Sequence, residues 1–464
     1  MNTLSRQSLF LRVILLFLFY GSQIVNAQSK VFTPAVEDAA FLNNLYTKYE
    51  KVYKNSVVSL PKENRKDFEM VYQHRWENIK EKFDNKEIYT SASARQYLDD
   101  LVTQVIKANP ELQNTVFNAY FSRTHIPNAA YVGEGIILFN LGLLQKLNNE
   151  SQLMFVLCHE IAHFYLRHSE NSIRKYVATV NSEDVQKELQ KINKSEYRKK
   201  EQLEKLVKGL TFNSSRHSRD HESSADSMAI VFMRNTKFDV SEALTALAML
   251  DSIDRENFNT NDYLEKIFDS KEYPFQKKWT AREEGLLGGH AQVTKDEALA
   301  DSLKTHPDCQ VRIEALKPLV NKYRSANSVK NFDKIRFEEL RHTAQYEIIE
   351  YAYSSNNYTA SLYHTLKLLQ TNPGDAYLIT QVGRIFNGFY SAQKEHTLGK
   401  FIRLPSPYFP PNYNALLQFI QNLYLQDFAQ LSYTFLKPYQ QQLDNYPPFK
   451  LAYNTSIQIT KPNN

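Results

Sequence analysis

The run Cys158 to His163, which reads C-H-E-I-A-H, places two histidines four residues apart with a glutamate after the first. On an α-helix, residues four apart lie one above the other, so His159 and His163 would present two imidazoles to one point beside Glu160. Neutral imidazoles suit Zn²⁺, and a neighbouring carboxylate can accept the proton of a water that attacks a carbonyl. The spacing therefore predicts metal-assisted hydrolysis.

The surrounding sequence favours this interpretation over a surface helix with chance histidines. The run Ser151 to His168 has helical periodicity, and Asn149 with Gln152 three positions on resembles a capping box. Apolar residues cover most of this helix, so polar side chains within it need partners. These apolar residues are Leu153, Val156, Leu157, Ile161 and Phe164.

A catalytic zinc site takes a third protein ligand, for which Glu222 is the candidate. Asp226 follows one turn later, where its carboxylate can hold a zinc-bound imidazole by the other ring nitrogen. Taken alone, the two acids would be ordinary residues of a helix surface. Their order and spacing after the H-E-x-x-H run instead match a glutamate-type zinc peptidase.

The elements that must position these residues are a small sheet and several helices. The sequence from Val31 to Asn109 is polar and helical in rhythm, and it includes an amphipathic helix from Ala92 to Lys107. Thr115–Arg123 and Gly135–Asn140 read as short strands, joined by a loop and followed by a short helix at Leu141–Leu147. We therefore expect a small sheet packed on the metal-binding helix.

Beyond His168 the chain predicts more helices and one long loop. These are charged helices to Leu210, a return helix at Arg216–Arg234, a helix at Phe238–Ser252, a mobile loop over Phe258–Ala300 and a helix at Asp308–Tyr323. After a linker at Ser325–Asn331, paired helices with a proline-bearing turn resemble a tetratricopeptide (TPR) repeat.

The amino terminus predicts an exported protein. Arg6 and Arg12 precede an apolar run that is too short to span a bilayer, and small residues before Gln28 favour cleavage there. Removing both arginines lowers the formal net charge from +5 to +3, which gives no support for nucleic-acid binding. Two cysteines, Cys158 and Cys309, cannot form a disulfide framework, although a single bridge is open to them.

Several motifs together resemble the HtpX and CAAX prenyl protease family of zinc metallopeptidases (gluzincins), and most closely the periplasmic BepA type. They occur in the family's order over roughly Ala92 to Leu319. The matching stretches are Asn128-Ala129, Gly133-Glu134-Gly135-Ile136, Gly142-Leu143-Leu144, Glu150, Leu157 to His163, His168, Arg219 to Asp226, Thr305-His306-Pro307 and Arg312.

The resemblance implies a role for each candidate residue. One Zn²⁺ per chain would be held by His159, His163 and Glu222, with Glu160 as general base and Asp226 behind the ligands. His306 and Arg312 would lie near the reacting carbonyl. The strand carrying Gly135, Ile136, Ile137 and Leu138 would hold substrate by main-chain hydrogen bonds along a sheet edge.

His306 could act in two ways, and the sequence leaves both open. It could donate a hydrogen bond to the developing oxyanion, or it could bind zinc in the resting enzyme and hold the site shut. Pro307 can start a helix, which would leave the imidazole on a loop.

The sequence thus predicts a mainly α (α+β) protein with a signal peptide at 1–27, a zinc metallopeptidase domain at 28–325 and a helical TPR-like domain at 326–464. We expect an exported endopeptidase, in a bacterial periplasm, that acts on unfolded or misassembled polypeptides and contacts envelope assembly machinery through the TPR-like domain. The alternative is a chaperone or adaptor with latent proteolysis. Processing of prenylated peptides is disfavoured because the mature sequence contains no spanning helix.

Overall fold

The computed structural model of the chain describes residues 31–195, 199–252, 258–281 and 309–461. The chain divides into two compact units, Met1–Thr33 and Pro34–Asn464. Of the first unit only residues 31–33 are described, and they form neither helix nor strand. The predicted signal peptide and His306 lie outside the described residues.

The described part of Pro34–Asn464 is mostly helical, with one small sheet. Its strands are β1 (Asn118–Ser122), β2 (Ala129–Gly133) and β3 (Ile136–Asn140). Its α-helices are α1 (Ala39–Val58), α2 (Arg65–Asp84), α3 (Ala92–Ala108), α4 (Leu141–Leu144), α5 (Glu150–Tyr165), α6 (His168–Val180), α7 (Glu183–Lys194), α8 (Lys199–Arg234), α9 (Glu242–Asp251), α10 (Thr260–Phe268), α11 (Cys309–Tyr323), α12 (Lys334–Ser354), α13 (Tyr358–Thr371), α14 (Ala376–Lys394), α15 (Pro411–Gln421), α16 (Leu425–Leu436), α17 (Gln440–Leu443) and α18 (Pro447–Thr460). Among the described residues, no helix combines the length and the apolar character that a membrane crossing requires.

The sheet has the strand order β1-β3-β2, with β1 parallel and β2 antiparallel to β3. This order corrects the expectation that Gly135–Leu138 offers an open edge to substrate. Both sides of β3 are already paired, and Ile136, Ile137 and Leu138 are buried. The edge that faces α5 belongs to β2, which the sequence analysis did not predict as a strand.

Helix α5, which carries the two histidines, begins where the sequence predicts. The Asn149 side chain accepts a hydrogen bond from the Gln152 N–H (3.0 Å), which satisfies one of the free donors of the first turn. The helix ends at Tyr165, three residues before the predicted end, because Arg167 adopts a left-handed conformation with φ of 54°. His168 therefore starts the next helix, α6.

Helix α8 runs unbroken from Lys199 to Arg234, where the sequence analysis had expected two segments. Helix α8 packs on α5, and Ala225, Ala229 and Ile230 in its carboxyl-terminal part are fully buried. This contact brings the acids of α8 to the histidines of α5.

Helices α12 to α18 form the carboxyl-terminal part, and a segment that the sequence analysis had placed in a loop packs into them. Helix α10 contacts α15 and α16. Its Phe268 is 1% exposed and its ring lies 4.9 to 5.9 Å from the rings of Phe386, Phe419 and Phe435. The aromatic side chains there bury a large apolar area, so the two parts of the chain share a core.

The two residues between the predicted linker and α12 are also tied to the metal-binding helix. Glu150, in the first turn of α5, accepts hydrogen bonds from the N–H groups of Phe332 (2.5 Å) and Asp333 (2.7 Å) and from the Tyr97 hydroxyl (2.7 Å). Its carboxylate also lies at the positive end of the helix dipole.

Candidate metal centre

His159, His163 and Glu222 meet at one point, where each offers a possible ligand atom. The two histidines come from successive turns of α5, and Glu222 comes from α8, which packs across it. Among the described residues, these three are the group of His, Cys, Asp or Glu side chains that lie close enough together to hold a metal ion.

The distances among these atoms fit a tetrahedral ion. The two Nε2 atoms lie 3.0 Å apart, and Glu222 lies 3.5 Å from His159 Nε2 and 3.3 Å from His163 Nε2. Ligands at about 2.1 Å from a tetrahedral zinc ion would be about 3.4 Å from one another. Moreover, Glu222 Oε2 is buried and accepts no well-aligned hydrogen bond, although Arg312 Nη1 lies 3.1 Å away. The two imidazoles and one carboxylate thus fit Zn²⁺.

Asp226 holds the first imidazole from behind. Its Oδ1 lies 2.9 Å from His159 Nδ1, the ring nitrogen that points away from the metal position. This contact fixes the ring and leaves Nε2 as the ligand atom. Asp226 is 1% exposed, so the contact is sheltered from water.

Arg312 lies behind the two acids, which corrects the expectation that it lies near the reacting carbonyl. Its Nε and Nη2 each donate to Asp226 at 2.7 Å, and its Nη1 is 3.1 Å from Glu222 Oε2. The residues that line the pocket at the metal position do not include it. A bidentate guanidinium in this place orients both carboxylates.

His168 holds the second imidazole. Its Nδ1 lies 3.0 Å from His163 Nδ1, its Nε2 lies 3.2 Å from Ser224 Oγ, and its ring stacks on that of His221 with centroids 4.2 Å apart. Burial, followed by the neighbouring His163, lowers the pKa of His168 to about 4. A neutral His168 can accept the His163 Nδ1 proton and donate its own to Ser224.

The electrostatics of the centre favour positive charge at the metal position. Burial opposes ionisation of His159, but hydrogen bonds with Asp226 and Glu222 outweigh it and raise its pKa to about 10. Burial also opposes ionisation of Glu222, which on its own would raise its pKa. Its contacts with His159, His163 and Arg312 outweigh burial and bring the pKa well below the ordinary value. Such a site stabilises a cation.

Glu160 lies beside the metal position and contacts β2. Its Oε2 accepts a 2.7 Å hydrogen bond from the Tyr131 N–H. Both residues line a pocket of about 320 Å³ between β2, α5, α6 and α8, which His159, His163 and Glu222 also line. Tyr131 was missed by the sequence analysis, although Tyr131-Val132 between Asn128 and Gly133 is a short run of strand-forming residues that could have indicated β2.

The two cysteines are separate free thiols. Cys158 and Cys309 are both buried, and burial raises the pKa of each. The possible single bridge is therefore absent from the structure.

The site is a candidate metal centre, formed by an H-E-x-x-H helix and a glutamate from a second helix. Residues 92–320 match the sequence model of Peptidase family M48. The match supports assignment of this region to the M48 zinc metallopeptidases, and it contains every candidate ligand and the base. None of the curated proteins matches the chain.

Proposed function

We propose that the protein is an exported zinc endopeptidase that cleaves unfolded or misassembled polypeptides. The observation that carries this proposal is the convergence of His159, His163 and Glu222, with Glu160 beside them in an open pocket. The match to a metallopeptidase family supports the same reaction class.

In this proposal each residue at the metal centre has a separate role in catalysis or in holding the ligands. A bound zinc ion supplies Lewis acidity that polarises a peptide carbonyl and acidifies water. Glu160 accepts the proton of the attacking water and passes it to the leaving amine. Asp226 and His168 hold the imidazoles in the tautomers that leave Nε2 free to bind.

The open edge of β2 would take substrate as an added strand, in place of the assignment to Gly135–Leu138. β2 is bonded to β3 on one side only, and Tyr131 directs its N–H away from β3, towards Glu160. The Tyr131 N–H is taken by Glu160, so this pairing would use the main chain of Ala129, which lies two positions before Tyr131, faces the same side and also lines the pocket. Main-chain pairing ignores most of the substrate's side chains, which suits an enzyme for unfolded polypeptides.

Export, a periplasmic location and a recruiting role for α12 to α18 belong to the same proposal. The signal-like sequence at 1–27 supports export. Successive helices α12, α13 and α14 pack on one another, as in stacked helical repeats, which supports a surface for polypeptide or assembly machinery. Cell fractionation that left the protein in the cytoplasm would contradict this part of the proposal.

The proposal is tested with the chain from Gln28 to Asn464 and casein as an unfolded substrate. Glu160→Gln should lower cleavage by about a hundredfold or more and keep zinc bound, because the amide cannot accept the water's proton and Glu160 is not a ligand. His163→Ala should lose the metal. Cleavage is followed by the appearance of new amino termini, and zinc by elemental analysis.

Two results would count against the proposal. Undiminished cleavage by Glu160→Gln would remove that residue from the reaction. A wild-type, zinc-loaded chain that suppresses aggregation of unfolded protein but cuts none of it would favour the chaperone alternative.

A further inference from the structure

The amino-terminal helical hairpin, α1 and α2, packs against the pocket from outside the family-matched region. Helix α2 contacts both β2 and α6, two of the elements that line the pocket. The hairpin therefore reaches the site even though none of its residues lines the pocket.

The turn between β2 and β3 needs an external restraint. Three successive residues adopt a positive φ, which favours glycine over residues with a side chain. They are Gly133 (100°), Glu134 (52°) and Gly135 (76°). A bulge precedes them, since the register of β2 shifts between Tyr131 and Gly133. An edge strand that ends in this way is not fixed by its own ladder.

Arg75 of α2 supplies the restraint. Its guanidinium pairs with Glu134, whose side chain is 2% exposed and also accepts a 2.7 Å hydrogen bond from the Ser56 hydroxyl. Its side chain also lies flat on Gly133, where an added Cβ would be 2.7 Å from Arg75 Cδ and Nε. Buried charge pairs of this kind hold a geometry firmly because neither charge can be left alone.

Arg75 is also linked to the Tyr131 side chain through Glu170. Its Nη1 lies 4.0 Å from Glu170 Oε1 on α6, and the same carboxylate oxygen accepts a 3.3 Å hydrogen bond from the Tyr131 hydroxyl. Arg75 thus contacts Glu134, in the turn that follows β2, and Glu170, which binds the Tyr131 side chain.

We propose that Arg75 is a positioning residue, which fixes Tyr131 so that its N–H holds the Glu160 carboxylate in the orientation that proton transfer needs. Fixing one carboxylate oxygen at 2.7 Å sets the direction of the other. The role of Glu160 as base rests on the proposed function, whereas the restraint on Tyr131 can be measured without substrate.

The test measures hydrogen exchange of the Tyr131 amide in the full chain, together with kcat, KM and zinc content. Arg75→Met/Glu134→Gln removes both buried charges at once, so neither is stranded. We expect exchange at Tyr131 at least tenfold faster, kcat lowered about tenfold, and KM and zinc content unchanged. Glu170→Gln breaks only the outer contact, on a side chain that is 30% exposed, and should give a smaller change in the same direction.

Arg65→Met is the matched control. Arg65 belongs to the same helix and binds the carbonyls of Leu60 and Val57 within the hairpin, but neither Glu134 nor Glu170. It should leave exchange at Tyr131 and kcat as in the wild type.

Unchanged exchange at Tyr131 in the double variant and in Glu170→Gln would overturn the proposal, and so would an equal change in Arg65→Met. A fall in kcat without faster exchange would also overturn it. If the wild type cleaves nothing, the proposed function fails, and the exchange result still decides whether Arg75 restrains Tyr131.

Discussion

The metal centre and the helices at the two ends of the chain depend on different kinds of contact. The centre is built by two helices whose functional residues recur at helical spacing, so short sequence runs determine it. The terminal helices act through contacts between residues far apart in the chain, such as Arg75 with Glu134 and Phe268 with Phe386. The ligands of a site can thus be local in sequence while the parts that hold it are not.

Removing the carboxyl-terminal helices should have the largest effect. A chain that stops after Ser325 would expose Phe268, which is 1% exposed in the full chain, and Trp279, which is 0% exposed and contacts Phe419. Because that apolar surface loses its partners, we expect the shortened chain to aggregate or to lack a cooperative unfolding transition, as measured by circular dichroism and size-exclusion chromatography.

Phe268→Ala in the full-length chain is a milder change, because it removes only one side chain from the same contact. It should unfold with a free energy lower by about 3 to 5 kcal/mol, and it should keep zinc. A folded, zinc-bound chain that ends at Ser325 would instead support the sequence-based division into separate domains at that residue.

The sequence predicted those features of the site that depend only on the spacing of residues along one helix. The helix from Glu150, its Asn149 cap and the placement of His159 and His163 on one face all follow from periods near 3.6 residues. Glu222 and Asp226 are one turn apart for the same reason. Those positions could be identified without knowing any tertiary contact.

Strand order and long-range polar contacts could not be predicted in that way. Whether β3 is central or at the edge depends on where β1 and β2 lie, and alternation within Gly135–Asn140 is the same in both cases. Arg312 was expected near the substrate, yet its position follows from the two buried acids beside it. Tyr131 touches Glu160 through a main-chain N–H, which its side chain does not reveal.

A smaller effect is expected from Asp226→Asn, which tests how the first imidazole is held. The amide keeps the shape of the carboxylate but loses its charge, and it turns a donor towards either His159 or Arg312, both of which also donate. Outer contacts of this kind contribute about 10- to 100-fold to metal affinity. We expect zinc affinity, measured by competition with a chelator, to fall by about a hundredfold.

His168→Ala should have the smallest effect of these changes, and it tests how the second imidazole is held. The contact of His168 Nδ1 with His163 Nδ1, 3.0 Å long, joins two imidazoles, whereas Asp226 offers His159 a carboxylate. Charge-assisted hydrogen bonds are roughly twice as strong as neutral ones. We therefore expect zinc affinity to fall by about tenfold in His168→Ala, clearly less than in Asp226→Asn.

The order of these two variants matters more than either value. His168 also stacks on His221 and bonds to Ser224, so its loss could loosen α8 as a whole. Ser224→Ala is the control, because it removes the partner of His168 Nε2 and leaves the contact with His163 in place. Suppose that His168→Ala lowers zinc affinity as much as Asp226→Asn does, while Ser224→Ala leaves it unchanged. In that case the His168 ring would hold His163 as firmly as the carboxylate holds His159, and charge would not explain how the ligands are fixed.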